Sequence, residues 1–179
     1  MIHAFPSGTL ALDLVGTRRL RRNDHPTEKL QAPADLDAWL TESGMLADAP
    51  GADDADLAAT LELREAIYTL MRARIDGREL PTDAVSTVNA AAAEAPLAIR
   101  LTDAGAHPYG TARQAASTLA REAIAIAAGD DAALLRECGR PECTQLYLDR
   151  SRGHRREWCS MATCGNRMKA AAYRARQRG

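Results

Sequence analysis

The sequence predicts a mainly α protein: a helical amino-terminal domain over residues 1–135, then a small module over residues 136–179 in which four cysteines, a short β-hairpin and a closing helix come together. Three observations carry this expectation. At 179 residues and 46% hydrophobic, the chain is long enough to bury a core. With four tyrosines, two tryptophans and a single phenylalanine, that core must be built from Leu, Ala, Val and Ile, which suits helices better than a β-sandwich. All four cysteines fall in the last quarter as two matched pairs, Cys138/Cys143 and Cys159/Cys164, with four residues inside each pair and fifteen between the pairs.

Thr9 to Val15 is a short apolar run interrupted by Asp13, and periodicity does not separate helix from strand there; the basic cluster Arg18, Arg19, Arg21 and Arg22 follows. Pro33 to Ser43 reads as a helix, with Pro at its start, Asp35 and Asp37 in the first turn, Leu36, Trp39 and Leu40 on one face, and Gly44 as the stop. Asp53, Asp54 and Asp56 lead a long helix to about Asp76, in which Leu57, Leu61, Tyr68, Met71 and Ile75 recur at helical spacing, widened by Leu63, Ile67 and Leu70. Another helix runs from Pro81 or Thr82 to about Glu94, Leu97–Leu101 is extended, and His107–Gly110 is turn-like. Thr111 to Ala128 is amphipathic and closed by Gly129, after which Asp130 or Asp131 caps a short helix into Cys138.

The cysteine spacing is that of a tetrahedral four-thiolate zinc site, in which two short Cys-containing turns converge on one ion. The opening residues lack a basic region and a sustained apolar stretch, so neither a signal peptide nor a membrane span is expected and the chain is read as cytoplasmic. In a reducing compartment clustered thiols serve as metal ligands rather than disulfides. Four thiolates close the coordination sphere, so the single zinc is structural and not catalytic. His154 is near enough to compete as a ligand, but the complete set of cysteines leaves it facing solvent or phosphate. Thr144–Asp149 alternates as a strand, a turn follows at Gly153, and Arg155–Trp158 is expected to return as its partner in the hairpin of a zinc ribbon.

Charge divides the chain at the same place. Residues 1–135 carry 12 Lys and Arg against 20 Asp and Glu, a net of −8, whereas residues 136–179 carry 11 against 4, a net of +7. The alanine-rich end after Cys164 should be helical, with Met168, Ala171, Ala172 and Ala175 on an apolar face that packs on the ribbon. Nine basic side chains are then available to meet phosphates: Arg150, Arg152, Arg155 and Arg156 on the hairpin, and Arg167, Lys169, Arg174, Arg176 and Arg178 on the helix.

Arg155–Arg167 (RREWCSMATCGNR) closely resembles the CGNR zinc finger, a family named for the string standing here at Cys164–Arg167, and Leu148–Arg152 fits the same pattern. The resemblance implies that Cys138, Cys143, Cys159 and Cys164 bind zinc in a DNA-binding element. Leu10–Val15, Leu36–Leu40 and Leu63–Ile67 resemble the helical ABATE-type domain of stress-induced transcription regulators that commonly precedes this finger. Where that resemblance leads one to expect Asn before Thr17, this chain has Gly16.

The expected function is therefore a bacterial-type transcription regulator that binds DNA through its zinc module. The helical domain would sense a small molecule, in a pocket near Asp13, Arg18 and Arg64, or mediate homodimerisation. The alternative is a zinc-stabilised protein-interaction module without direct DNA binding. RNA is disfavoured because only Tyr147, Trp158 and Tyr173 are present in the basic segment to stack on bases. An enzyme is not expected: Asp13, Glu62, Glu65, His3, His25 and His107 are connected by no nucleophile or phosphate loop.

Overall fold

A computed structural model describes residues 3–103 and 105–177. The ambiguous run Leu10–Val15 is a helix, α1, with the Thr9 hydroxyl accepting from the Leu12 N–H. Ala11, Leu12, Leu14 and Val15 are all fully buried and Asp13 nearly so, so the apolar residues of α1 point in every direction because every side is covered. This is why its sequence shows no one-sided periodicity. A small antiparallel ribbon follows, β1 (Arg18–Arg19) with β2 (Thr27–Glu28), Arg18 opposite Glu28.

Helix α2 (Pro33–Glu42) begins where the Asp35 carboxylate accepts from the backbone N–H groups of Gln31 and Ala32 at 2.8 and 2.9 Å. Its Trp39 is buried in the core, with the Phe5 ring 6.0 Å away. The long central helix α3 (Asp54–Ile75) opens on a reciprocal pair: the Asp53 carboxylate accepts from Asp56 N–H and the Asp56 carboxylate from Asp53 N–H. Helices α4 (Thr82–Ala93) and α5 (Ala112–Ala128) pack against it. Between them stands a hairpin of β3 (Ala98–Thr102) and β4 (Gly105–Tyr109). The expected turn at His107–Gly110 is not where the chain reverses. His107, Pro108 and Tyr109 lie within β4, Pro108 opposite Ile99, and the reversal falls between Thr102 and Gly105, whose φ of +110° favours glycine.

A 3₁₀ turn (Asp130–Leu134) then leads into β5 (Leu135–Glu137), which pairs antiparallel with β6 (Leu146–Leu148). This corrects the expected hairpin: the partner of β6 precedes the first cysteine, and Arg155–Trp158 is not a strand. The cause lies in side chains. Leu135, Leu146 and Leu148 join the buried cluster of α1, α3, α4 and α5, while Tyr147, pointing the opposite way, packs against the cysteines. Segment 155–158 is held otherwise, its Arg156 N–H bonded to the Asp149 carboxylate and its Glu157 carbonyl accepting from Gly139 N–H.

A π-helical turn (Met161–Gly165) carries Cys164 into α6 (Asn166–Gln177). A Cβ at Gly165 would stand 2.6 Å from the Met161 sulfur, so the flexible end of Met161 would have to move to admit one. Beyond its first turn α6 has no cover. Ala171, Ala172 and Ala175 are exposed and only Met168 is half-buried, so the expected packing of that face on the ribbon is confined to Met168.

Candidate metal centre and the basic surface around it

Two short chain reversals bring the four thiols together, all sulfur atoms lying within 4.8 Å of one another. Cys143 Sγ is 3.9 Å from Cys159 Sγ, which is 3.6 Å from Cys164 Sγ. These separations are far beyond a disulfide bond of about 2.05 Å. They match the edge of about 3.8 Å expected of a tetrahedron with metal–sulfur bonds of about 2.3 Å. Hydrogen bonds from Cys143 and Cys159 hold the Cys138 thiol down to about 2, and the bond to Cys138 pushes Cys143 up to about 12 and Cys159 upward as well. Four sulfur atoms at this spacing fit one structural Zn²⁺, which would hold all four as thiolates.

The neighbouring groups fix the ligands. Cys159 N–H donates to Cys138 Sγ at 3.4 Å. The Tyr147 hydroxyl donates to the Arg156 carbonyl at 2.5 Å, and the Arg156 guanidinium lies 4.4 Å over the Tyr147 ring. Burial pushes that phenol up to about 12, so it stays a donor. Asp149, fully buried, accepts from Ser151 N–H, the Ser151 hydroxyl and Arg156 N–H, which shapes the loop 150–156. Against the cost of burial, those donors hold its carboxyl below the usual range. Nothing in the residue count marks Tyr147 as important; for Asp149 the signals are the Asp-x-Ser spacing of an Asx turn and its place in the Leu148–Arg152 string that fits the CGNR pattern.

Not all nine basic residues are alike in place. Arg156 points inward, donating to the carbonyls of Pro6, Trp158 and Cys159. Arg150 pairs with Asp131 at 2.7 Å. Arg152, Arg155, Arg167, Lys169, Arg174 and Arg176 are exposed, and none of them is in an ion pair among the described residues. Arg178 lies outside the described residues. His154 is exposed, with its Nδ1 2.7 Å from the Asp149 carbonyl oxygen and away from the sulfurs.

In the helical domain, Arg64 is 2% exposed and fully engaged. It grips the Glu28 carboxylate with two bonds of 2.6 and 2.7 Å, and it also donates to Glu65 and to the Thr17 hydroxyl. Despite burial, the guanidinium holds Glu28 below the usual carboxylate range. Arg18 and Arg21 both face Glu65. Asp13, 4% exposed, accepts from Ser7 N–H at 3.0 Å. Burial lifts its carboxyl to about 6, opposed by the Ser7 bonds and aided by Glu122. The crevice beside it has a volume of about 10 Å³, room for one water, and is lined by neither Arg18 nor Arg64.

Further long-range ties bind the zinc module to the helical body. Glu137 pairs with Arg22 at 2.5 Å and with Arg72 at 2.7 Å. Gln145 Nε2 donates to the Ser7 hydroxyl and to the Leu12 and Leu146 carbonyls. Its side chain fills the space over Gly16, where a Cβ would come within 2.2 Å of it. Glycine at position 16 and glutamine at 145 are thus mutually dependent.

A helical body fastened to a closed tetrathiolate centre with a bare basic helix beyond it defines a zinc-finger protein. More narrowly, the chain belongs to the ABATE family, described as "Putative stress-induced transcription regulator", whose model matches residues 8–137. Residues 135–177 match the CGNR zinc finger. Both descriptions are of regulators or zinc fingers, not of enzymes. No curated protein matches the chain. Among the described residues no helix is long and apolar enough to cross a membrane.

Proposed function

We propose that this protein is a cytoplasmic, non-enzymatic transcription regulator that binds DNA through its zinc module, the helical body supplying regulation. One observation carries the reading. Helix α6 has no buried residue and no acidic one, yet bears Arg167, Lys169, Arg174 and Arg176. A helix without a buried face gains little from its own fold, and a row of unpaired cations on it suits a polyanion. Arg152 and Arg155 extend the basic surface from the loop that Asp149 shapes. Zinc makes the surface by holding this loop and α6 together, and the arginines do the binding.

A salt titration of binding to duplex DNA tests this. Six phosphate contacts would give a slope of log affinity against log salt of about −5, and no measurable binding at low salt overturns the reading. A protein partner is the second reading, favoured by Tyr173 and Met161, which are 59% and 49% exposed beside the cations. Capture of a protein partner that survives nuclease and is lost on Tyr173→Ala would replace DNA with protein as the main partner. Homodimerisation through the helical body belongs to the same proposal and is tested by sedimentation.

A further inference from the structure

Between the β1–β2 ribbon and the zinc module lies a cleft of about 320 Å³, large enough for a small metabolite. Four cations line it: Arg19 from β1, Lys29 just after β2, Arg140 from the first cysteine turn and Arg167 from α6. Hydroxyls of Thr144 and Ser160 line it too, and no Asp or Glu among the described residues does. We propose that this cleft binds the phosphate group of a small phosphorylated molecule.

The plainest competing account is that these cations only offset the metal centre, whose thiolates form one wall. Zinc bound to four thiolates carries two net negative charges. Arg140 does serve that end: it pairs with Glu142 at 2.6 Å, and contact with Cys164 raises its basicity further. The four cations nevertheless outnumber the two charges of the centre and the one of Glu142. Arg19, Lys29 and Arg167 reach the cleft from three separate elements, and none is in an ion pair among the described residues. Elsewhere in this protein arginines at such junctions find carboxylates, as Arg22 finds Glu137. Converging cations and hydroxyls without a carboxylate are the chemistry of oxyanion recognition.

The site deepens the regulatory reading above, because Arg167 belongs both to the cleft and to the surface offered to DNA. A bound phosphate would draw Arg167 away from a nucleic-acid backbone. The same chemistry has a second source, a phosphate of DNA itself, and the test separates the two. The zinc-loaded full chain is titrated with inorganic phosphate at constant ionic strength, without DNA, and followed by amide resonances of Lys29, Thr144, Gln145 and Ser160. Saturable shifts at these positions are expected, with affinity about tenfold weaker in Arg19→Gln/Lys29→Gln at unchanged zinc content and melting temperature. Arg19→Gln alone, at an exposed position, serves where the double variant fails to fold. Absence of saturable shifts, or shifts that persist undiminished in the variants, overturns the site. Duplex DNA binding by the same variants within about twofold of the parent supports a soluble phosphate compound. A tenfold loss with a shallower salt slope assigns the cleft to the DNA backbone and overturns the small-molecule assignment. Because phosphate binding is read without DNA, failure of the DNA reading leaves it standing.

Discussion

Two arginine-rich regions of this protein do opposite work with the same side chain. Around the β1–β2 ribbon, Arg18, Arg21, Arg22 and Arg64 are each answered by a carboxylate from another part of the chain, Glu65, Glu137 or Glu28. On α6, Arg167, Arg174 and Arg176 meet none among the described residues. Paired guanidinium groups are fasteners, closing the ribbon onto α3 and the zinc module onto the body. Unpaired ones on a helix with no buried face contribute little to the fold and, on the function proposed above, would meet a polyanion. Density of arginine therefore says little about function; the presence or absence of an answering carboxylate says much.

The comparison breaks first at the metal. Cys159→Ala, or removal of zinc by a chelator, should unfold residues 138–165 and abolish DNA binding together, since structural zinc supplies about 10–16 kcal/mol of apparent folding energy to such modules. Metal analysis and a mobility-shift assay on the same sample check it; DNA affinity retained without zinc would separate the surface from its scaffold. The fastener half is tested by Arg64→Met. It leaves Glu28 without its bidentate partner and should cost about 3 kcal/mol, the lower end for a buried pair because Glu28 keeps part of its surface in water. The melting temperature should then fall by roughly 6 to 12 °C. DNA affinity measured well below that temperature should not move.

Asp13 is a buried carboxyl that no guanidinium fastens. Asp13 has its folded pKa raised from 3.8 to about 6, so the folded state holds this proton more tightly than the unfolded chain does. Its stabilising contribution is present below about pH 4 and is lost as pH rises through 6, a change of roughly 2 to 3 kcal/mol. The stability difference between wild type and Asp13→Asn, from urea unfolding at several pH values, should shift in favour of the asparagine variant across that window; a flat difference would show that Asp13 titrates normally. The smallest effect belongs to the bare arginines. Arg167→Gln/Arg174→Gln should weaken DNA binding about tenfold and flatten the salt slope by about 1.8, with zinc content and melting temperature unchanged. Loss of stability in this variant would move α6 into the fastener class.

Much of this was legible in the chain. The polar residues at Asp53 and Thr111, proline at the first position of α2 and the helical spacing from Leu57 to Ile75 are local signals, and the helices stand where those signals place them. The cysteine spacing pointed to a single zinc because ligand geometry constrains short turns directly. Leu10–Val15 stayed ambiguous because complete burial erases periodicity. The partner of β6 is not legible in the sequence because the alternation of Leu146, Tyr147 and Leu148 gives two faces but not their destinations. One face fills the helical core and the other backs the zinc centre.

By itself the sequence determined the helical elements after α1, the cysteine set for one zinc and the separation of charge, all of which depend on neighbours a few residues apart or on simple counts. Only the tertiary structure decided which cations are free, that Arg156 turns inward, that Gln145 occupies the space above Gly16, and that Arg19, Lys29, Arg140 and Arg167 meet in one cleft. The physical reason is range. A guanidinium is satisfied by whichever carboxylate or carbonyl the fold brings within about 3 Å, and that partner can be remote in the chain: Arg64 grips Glu28, 36 residues away, and Arg156 donates to Pro6, 150 residues away.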